Sequence, residues 1–302
     1  MKTLIVGAGA TGGYIGVQLL KAGRDVTFLV RPRTLLRLQS DGIRIRGGDG
    51  ESSTDVKAIA KDGIDTTYDA VFLAVRGNAV ASAIDDFSPA VGLGTRIVPL
   101  INGMAHLPAL VAAFGDDVVL GAAAKLATSL LSDGTIAEVA PGVHLEIGAL
   151  DGRDSAETDR LATEFGVDGI VVTVSNSIRM AMWEKFAFIT STAVLTCLAG
   201  DVIGSIAQVD GGFTLARRVL DEVARVATAE GYPLSDPTLT KLTAALTDTS
   251  SRFAPSMFRD FRAGRPVETS VFSDLATRAR QHQIPTPLLD ATIVAINVRG
   301  QI

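Results

Sequence analysis

The feature that most constrains the fold is a glycine-rich turn between an apolar run and a helical pattern, close to the start of the chain. Residues 3–6 form the apolar run, which leads directly into Gly7-Ala8-Gly9-Ala10-Thr11-Gly12. A helical pattern follows over residues 10–21, and a second apolar run covers 26–30. This order of strand, glycine turn, helix and strand is the βαβ unit that binds dinucleotides at a helix N-terminus. The opening of the chain therefore predicts a parallel sheet with a dinucleotide site.

The three glycines of the turn have separate physical roles in such a unit. Gly7 permits the tight turn, Gly9 lets the backbone approach a pyrophosphate, and Gly12 allows the helix to pack closely on the strand. The first helical turn presents free N–H groups and the positive end of the helix dipole to the phosphates. The alternative interpretation is a glycine turn kept for packing only. The predicted cofactor turn comprises Gly7, Ala8, Gly9, Ala10, Thr11 and Gly12.

The alternation of apolar runs and helical patterns continues through the first half of the chain. Continuous apolar strands separated by helices are typical of a parallel sheet covered on both faces. A small antiparallel pair of strands is expected around the turn Gly47-Gly48-Asp49-Gly50, and short strands are expected past Val119. The further predicted strands are 43–46, 53–58, 70–75, 96–101 and 170–174, and the further predicted helices are about 33–39, 78–84 and 104–114.

The pattern changes near residue 175, after which only helices are predicted. We therefore expect an α/β fold in which an N-terminal Rossmann-type parallel sheet is joined to a C-terminal all-helical domain. The predicted domains are an NADP-binding Rossmann domain at 1–174 and a helical substrate or dimerisation domain at 175–302. The helices predicted in the second domain are 178–198, 211–230, 236–246, 271–282 and 287–298.

Composition excludes several classes of function. Apolar residues make up 47% of the chain and charged ones 20%, which is enough to build a core and argues against disorder. The net charge of -5 comes with no basic block for a phosphate backbone or a membrane surface, so neither nucleic acid nor a membrane is expected as a partner. No signal peptide is evident, and the single cysteine, Cys197, lies in an apolar run. A cytoplasmic protein is expected.

The end of the second strand indicates which dinucleotide to expect. This position normally carries an acid for NAD or a nearby arginine for NADP. Here it carries Val30-Arg31-Pro32-Arg33, whereas Asp25 stands at the opposite end of the strand. Because nothing acidic is placed to repel a 2′-phosphate, NADPH is the expected cofactor. Arg31 and Arg33 as ordinary solvated charges are the alternative.

Two further residues stand where chemistry is expected. Lys185 lies at the mouth of a charge-free run over 186–200, where partial desolvation disfavours the ammonium and suits the lysine to donate or accept a proton. A lysine that extends its ammonium into solvent fits the same spacing. Asn102 follows the strand at 96–101, at the edge where parallel sheets bind ligands, or is an ordinary turn residue. The three histidines lack metal-ligand spacing, so no metal site is expected.

The chain resembles the ketopantoate reductase (2-dehydropantoate 2-reductase) family nearly from end to end. The resemblance implies NADPH-dependent reduction of ketopantoate, or a related 2-oxo acid, to the 2-hydroxy acid, as in pantothenate biosynthesis. It also implies that Lys185 is the general acid, that Asn102 and Ser256 contact substrate or cofactor, and that Glu268 lies beside the substrate and the lysine. The residues that carry it are the turn 7–12, Arg31, Asn102-Gly103-Met104, Met182-Trp183-Glu184-Lys185-Phe186, Ser256-Met257 and Glu268.

The chain also departs from the family pattern. Arg76, expected beside the cofactor, stands where a lysine is common, which keeps the charge but changes the geometry. Ile189 and Ala193 follow Lys185 on one helix face where asparagines are common. Ser273-Asp274 replaces an expected Asn-Gly after Glu268. We therefore expect a more apolar pocket, suited to a 2-oxo acid with a larger apolar side chain.

Two other functions stay open at this point. One is a related hydroxyacid or opine-type dehydrogenase, and the other is a non-catalytic NADP-binding sensor. The joint presence of Lys185 and Glu268 argues against a sensor, because a sensor needs no general acid. A homodimer formed through the helical domain is a further open question.

Overall fold

The structure is a computed structural model that describes residues 1–153 and 156–299. It divides into two compact units, of which the first comprises Met1–Ile101 and His106–Ile178. The second comprises Asn102–Ala105 and the described chain from Arg179 onward, so a short turn from the first half of the sequence belongs to the helical unit. Residues 154, 155 and 300–302, which fall within the two predicted domains, lie outside the described residues.

The first unit alternates strands and helices, as the sequence predicts. Its elements are β1 (Lys2–Val6), α1 (Ala10–Lys21), β2 (Asp25–Leu29), α2 (Pro32–Asp41), β3 (Ile43–Gly47), β4 (Gly50–Thr54), β5 (Lys57–Ile59), β6 (Ala70–Leu73), α3 (Val80–Phe87), β7 (Arg96–Pro99), α4 (His106–Phe114), β8 (Leu120–Leu130), β9 (Ile136–Ala149), α5 (Ala156–Phe165) and β10 (Ile170–Val174). The predicted α/β fold class is thereby confirmed.

A five-stranded parallel sheet forms the centre of this unit. Its strand order is β5-β2-β1-β6-β7, and every neighbouring pair is parallel. All four residues of β6 are buried, and four of the five residues of β1 and of β2 are buried. Such continuous burial is typical of a parallel sheet with both faces covered, and it explains why these strands have no polar alternation.

The second sheet corrects two details of the sequence-based prediction. β3 and β4 form the expected antiparallel pair, with Gly47 opposite Gly50, but the predicted strand 53–58 is divided in two. Its second part, β5, does not belong to the antiparallel pair. It joins the first sheet, where it pairs in parallel with β2. The strands past Val119 are also long rather than short, since β8 has 11 residues and β9 has 14, paired antiparallel.

Helix α1 is packed against both sheets. A Cβ atom on Gly16 would lie 2.7 Å from Cδ1 of Ile5 in β1, so the helix can approach the strand only with glycine here. Tyr14, buried at 2% exposure, donates its hydroxyl to Glu138 of β9. Burial, followed by this bond to a carboxylate, raises the pKa of Tyr14. The helix that follows the glycine turn is therefore held in one position.

The described residues of the second unit form helices joined by turns and loops, without a strand. Five of its helices match the predicted ones to within two residues, whereas the short helices α7 and α10 were not predicted because each has too few turns for a clear apolar period. Burial raises the pKa of Cys197 to about 12, which leaves the thiol unreactive. None of the described helices is long and apolar enough to cross a membrane. The helices are α6 (Ile178–Ala199), α7 (Ile203–Ala207), α8 (Gly212–Ala229), α9 (Asp236–Thr247), α10 (Ser256–Arg262), α11 (Ser270–Gln281) and α12 (Pro287–Arg299).

Candidate functional site

The glycine turn lies at the carboxyl edge of the parallel sheet, directly after β1. Gly7 donates its backbone N–H to Leu29 O at 3.0 Å, which ties the turn to the end of β2. Its φ of +100° lies in the region that favours glycine. A Cβ atom here would also lie 2.6 Å from Ala74 O, at the end of β6. Backbone conformation and space therefore both require glycine at this position.

The other two glycines of the motif differ in what surrounds them. A Cβ atom on Gly12 would overlap Gly7 O and lie 2.7 Å from Cβ of Ala74, so this glycine serves the packing of α1 on the strands. A Cβ atom on Gly9 would meet nothing within 4 Å. Packing thus explains Gly12 but does not explain Gly9. Open space beside a glycine is what the close approach of a ligand to the backbone needs.

Helix α1 begins at Ala10 with Gly9 as its N-cap, and no side chain caps its first turn. The uncapped N–H groups and the helix dipole make this end favourable for an anion. Ala8, Ala10 and Thr11 complete the turn around it, and none of the three is fully exposed. The turn thus fits the diphosphate of a dinucleotide in both shape and polarity.

Three arginines follow neighbouring strands at the same edge. Arg31 is the N-cap of α2, directly after β2, and Arg33 lies in the first turn of that helix. Arg76 follows β6, and both β2 and β6 flank β1, with Val6 in register with Leu29 and Leu73. All three side chains are exposed, and none forms a salt bridge with the described residues. These cations are available to a phosphate group near the glycine turn.

In the helical unit, the turn Asn102-Gly103-Met104 lies against two helices. Gly103 has a φ of +84°, and a Cβ atom on it would lie 3.9 Å from Cε2 of Phe186 and 3.4 Å from Oδ2 of Asp274. Phe186 belongs to α6 and follows Lys185 directly. The structure therefore brings together the predicted Asn102 turn and the start of the helix that carries the predicted general acid.

Lys185 lies in the second turn of α6 and is half-buried. Its neighbours along the helix are firmly held, because Trp183 and Phe186 are each 1% exposed and Glu184 accepts a hydrogen bond from the Thr238 hydroxyl at 2.7 Å. The helix is therefore a rigid support for the lysine.

The two residues of α6 that depart from the family pattern, Ile189 and Ala193, differ in exposure. Ile189 lies one turn beyond Lys185 and is half-buried. Ala193, one turn further, is fully buried. Ile189 is therefore the replaced position that remains partly accessible on the side of the helix that carries the lysine.

Ser256 and Glu268 lie at the two ends of the segment that precedes α11. Ser256 is the exposed first residue of α10, and Glu268 is half-buried two residues before α11 begins. That helix carries Asp274, which touches the Asn102 turn. The roles of Ser256 and Glu268 stay predictions. Within the described residues, no group of three or more His, Cys, Asp or Glu side chains could hold a metal ion.

A buried cluster on α11 was not predicted from the sequence. Asp274 accepts a hydrogen bond from the Met104 N–H at 2.8 Å, and its other oxygen accepts one from Arg278 Nε at 2.8 Å. Arg278 also contacts Glu230 and lies over the ring of Trp183, 5.5 Å from its centroid. The spacing of Asp274 and Arg278, four residues apart on a predicted helix, could have indicated the pair. It could not have indicated the Met104 partner, which is far away in sequence.

Comparison with family models covers almost the whole chain. Residues 3–152 match the model described as ketopantoate reductase PanE/ApbA. Residues 177–299 match the model of the C-terminal part of the same family. An uncharacterized oxidoreductase, YkpB, of Bacillus subtilis strain 168 is 30% identical, over 96% of this chain and 96% of its own length.

Solved structures give the same result. The 2-dehydropantoate 2-reductase of Geobacter metallireducens is 25% identical, with a TM-score of 0.87 over 99% of each chain. A D-mandelate dehydrogenase solved with NADH and anilino(oxo)acetate has a TM-score of 0.88 over 100% of this chain and 98% of its own. Its 17% identity shows a shared fold only.

The two glycines of the turn give a matched pair of substitutions. We expect Gly9→Ala to leave the Tm nearly unchanged and to raise the Kd for NADPH about tenfold or more, because the new methyl group fills open space beside the helix N-terminus. We expect Gly12→Ala to lower stability by about 1–3 kcal/mol through overpacking. Thermal denaturation and a fluorescence titration with NADPH measure both quantities. Native affinity in Gly9→Ala would show that no phosphate approaches this residue.

Proposed function

Because the chain belongs to the ketopantoate reductase family, we propose that this oxidoreductase reduces a 2-oxo acid to the 2-hydroxy acid with NADPH, and that Lys185 is the general acid. The observation that carries the proposal lies within the helical unit. There, α6 holds Lys185 next to Phe186, and Phe186 lies against the Asn102-Gly103-Met104 turn. This packing supports the proposal, because it brings the turn that carries Asn102 close to the helix that carries Lys185.

The chemistry assigns a separate task to each residue. When bound, NADPH supplies the hydride that reduces the keto carbon. The ammonium of Lys185 donates a proton to the keto oxygen and recovers one from solvent, so that the oxygen becomes the hydroxyl of the product. Asn102 and Ser256 orient the substrate, and Glu268 lies beside the substrate and the lysine. Positioning of this kind reduces the entropic part of the barrier.

The preference for NADPH is supported by the charges at the sheet edge. Arg31 and Arg33 follow β2 with no carboxylate among them, and both are exposed. A guanidinium pairs well with a phosphate because it offers two parallel N–H donors. Arg76, after β6, supplies a third cation beside the glycine turn. The protein is proposed to work in the cytoplasm, where a lone cysteine such as Cys197 stays reduced.

The substrate is proposed to be ketopantoate or a related 2-oxo acid with a larger apolar side chain. The second choice is favoured by Ile189, half-buried one turn beyond Lys185 where an amide is common in the family. A related hydroxyacid or opine-type dehydrogenase is the alternative within the same chemistry.

The role of Lys185 is tested by Lys185→Ala. We expect kcat to fall by about 10²- to 10⁴-fold, the usual contribution of a positioned general acid, while the Kd for NADPH stays near the native value. The matched control is Lys241→Ala, which removes an exposed lysine from α9 of the same unit. Steady-state kinetics and an NADPH titration measure both variants. A Lys185→Ala protein that turns over at the native rate would exclude the lysine as general acid.

The cofactor preference is tested by comparing NADPH with NADH. We expect NADPH to bind about tenfold more tightly or better, since a charge-assisted hydrogen bond contributes about 1.5–3 kcal/mol. The preference should shrink in Arg31→Ala and persist in Arg217→Ala, which removes an exposed arginine from α8. Calorimetric Kd values for both cofactors provide the measurement. Equal affinities in the native protein would contradict the assignment of Arg31.

Substrate choice is tested on a graded series of 2-oxo acids. We expect kcat/KM for ketopantoate to lie below that for an acid with a larger apolar side chain, because each lost amide hydrogen bond costs about 1 kcal/mol. Ile189→Asn should move the ratio back towards ketopantoate, whereas Val294→Asn, an exposed apolar residue on α12, should leave it unchanged. A clear maximum at ketopantoate in the native protein would favour the plain family substrate.

A further inference from the structure

A partly buried ion pair in the helical unit has no part in the proposed chemistry. Asp274 is 8% exposed and forms a salt bridge to Arg278, one turn further along α11. The second oxygen of Asp274 accepts the backbone N–H of Met104, which is 4% exposed. Both carboxylate oxygens are therefore occupied, one by the pair and the other by the turn that carries Asn102.

We propose that Asp274 and Arg278 are positioning residues, which hold the Asn102-Gly103-Met104 turn in register with α6 and so set the efficiency of reduction. The proposal rests on the proposed function for its catalytic consequence. Its structural basis is independent, because it depends only on contacts within the helical unit. Neither side chain is assigned a contact with substrate or cofactor.

The pair connects the turn to the helix of Lys185 through Arg278. The guanidinium contacts Asp274 on one side and Glu230, at the end of α8, on another. Its face lies 5.5 Å from the ring centroid of Trp183. Trp183 is 1% exposed and stands on α6, two residues before Lys185. The turn, α11 and the start of α6 are thereby joined by directional contacts with few alternative arrangements.

The contacts of Asp274 are suited to holding the position of the turn. Replacing a whole buried ion pair with packed apolar residues is often neutral in stability, because desolvation offsets most of the attraction, so what such a replacement loses is the geometry of the pair. A carboxylate bond to a backbone N–H is short and directional. Residue 274 is a glycine in the pattern expected for the family, and a glycine has no side chain to reach Met104. The chain thus holds its Asn102 turn by a side-chain contact of its own.

The first experiment is steady-state kinetics on Asp274→Ala, Asp274→Asn and the native full-length chain. We expect Asp274→Ala to lower kcat/KM for the 2-oxo acid about 10- to 100-fold, and to leave the Kd for NADPH within about twofold. Asp274→Asn keeps an acceptor for the Met104 N–H, so it should recover about fivefold or more of that loss. Recovery by the uncharged amide would show that kcat/KM depends on the hydrogen bond to the turn and not on the charge of residue 274.

The matched control is Glu222→Ala in the same unit. Glu222 is a carboxylate with 5% exposure that accepts the N–H groups of Leu288 at 2.9 Å and Leu289 at 3.1 Å, at the start of α12. It also binds two partners, but neither belongs to the turn. We expect Glu222→Ala to lower the Tm at least as much as Asp274→Ala and to keep a native kcat/KM per folded molecule.

Hydrogen exchange gives a readout that does not depend on turnover. Exchange at the Met104 amide should rise in Asp274→Ala and stay native in Glu222→Ala, where the Leu288 and Leu289 amides should respond instead. Native exchange at Met104 in Asp274→Ala, or an equal loss of kcat/KM in the Glu222→Ala control, would overturn the proposal. If the native chain reduces no 2-oxo acid, the proposed function fails, and exchange at Met104 still decides whether Asp274 holds the turn. Should Asp274→Ala not fold, the same criteria apply to Asp274→Leu, which offers no acceptor to the Met104 N–H, compared with Glu222→Leu.

Discussion

The close packing of α1 on the parallel strands is the constraint on which the nucleotide-binding half of the structure depends. Gly12 and Gly16 leave no room for a Cβ atom against β1 and its neighbours, so the helix lies directly on the sheet. Because the helix starts where β1 ends, its uncapped N-terminus is placed at the carboxyl edge of the sheet. The parallel register then brings the residues after β2 and β6 to the same edge. One packing interaction thus determines where an anion can bind and which cations face it.

In the helical unit, the functional residues are not positioned by the edge of a sheet. Lys185 is placed by a helix whose neighbouring aromatic side chains are buried. The Asn102 turn comes from a different part of the sequence and is held by Phe186 and Asp274. Contacts between segments that are distant in sequence position these residues, as strand register positions the residues of the first unit. Such contacts are specific only when their directions are specific, which is the property of a hydrogen-bonded ion pair.

The errors of the sequence-based description have physical causes. Residues 53–58 were predicted as one strand because nothing in this short stretch signals a change of strand partner, and β5 instead pairs with β2. The short helices α7 and α10 show too little periodicity to be recognised. The placement of Ala193 on the face of Lys185 follows from helical spacing and stays a prediction, whereas its full burial depends on what packs over that face.

The sequence by itself determined the fold class, the glycine turn, the helix that carries Lys185 and the turn after β7 that carries Asn102. These features follow from local rules, since the period of apolar residues and the freedom of glycine act within a few residues. Only the tertiary structure decided that residues 102–105 join the helical unit and that the Met104 N–H meets Asp274. The two residues are 170 positions apart in the chain. No local pattern encodes such a pairing, because it depends on how the helices pack and on the cost of leaving a buried carboxylate without a partner.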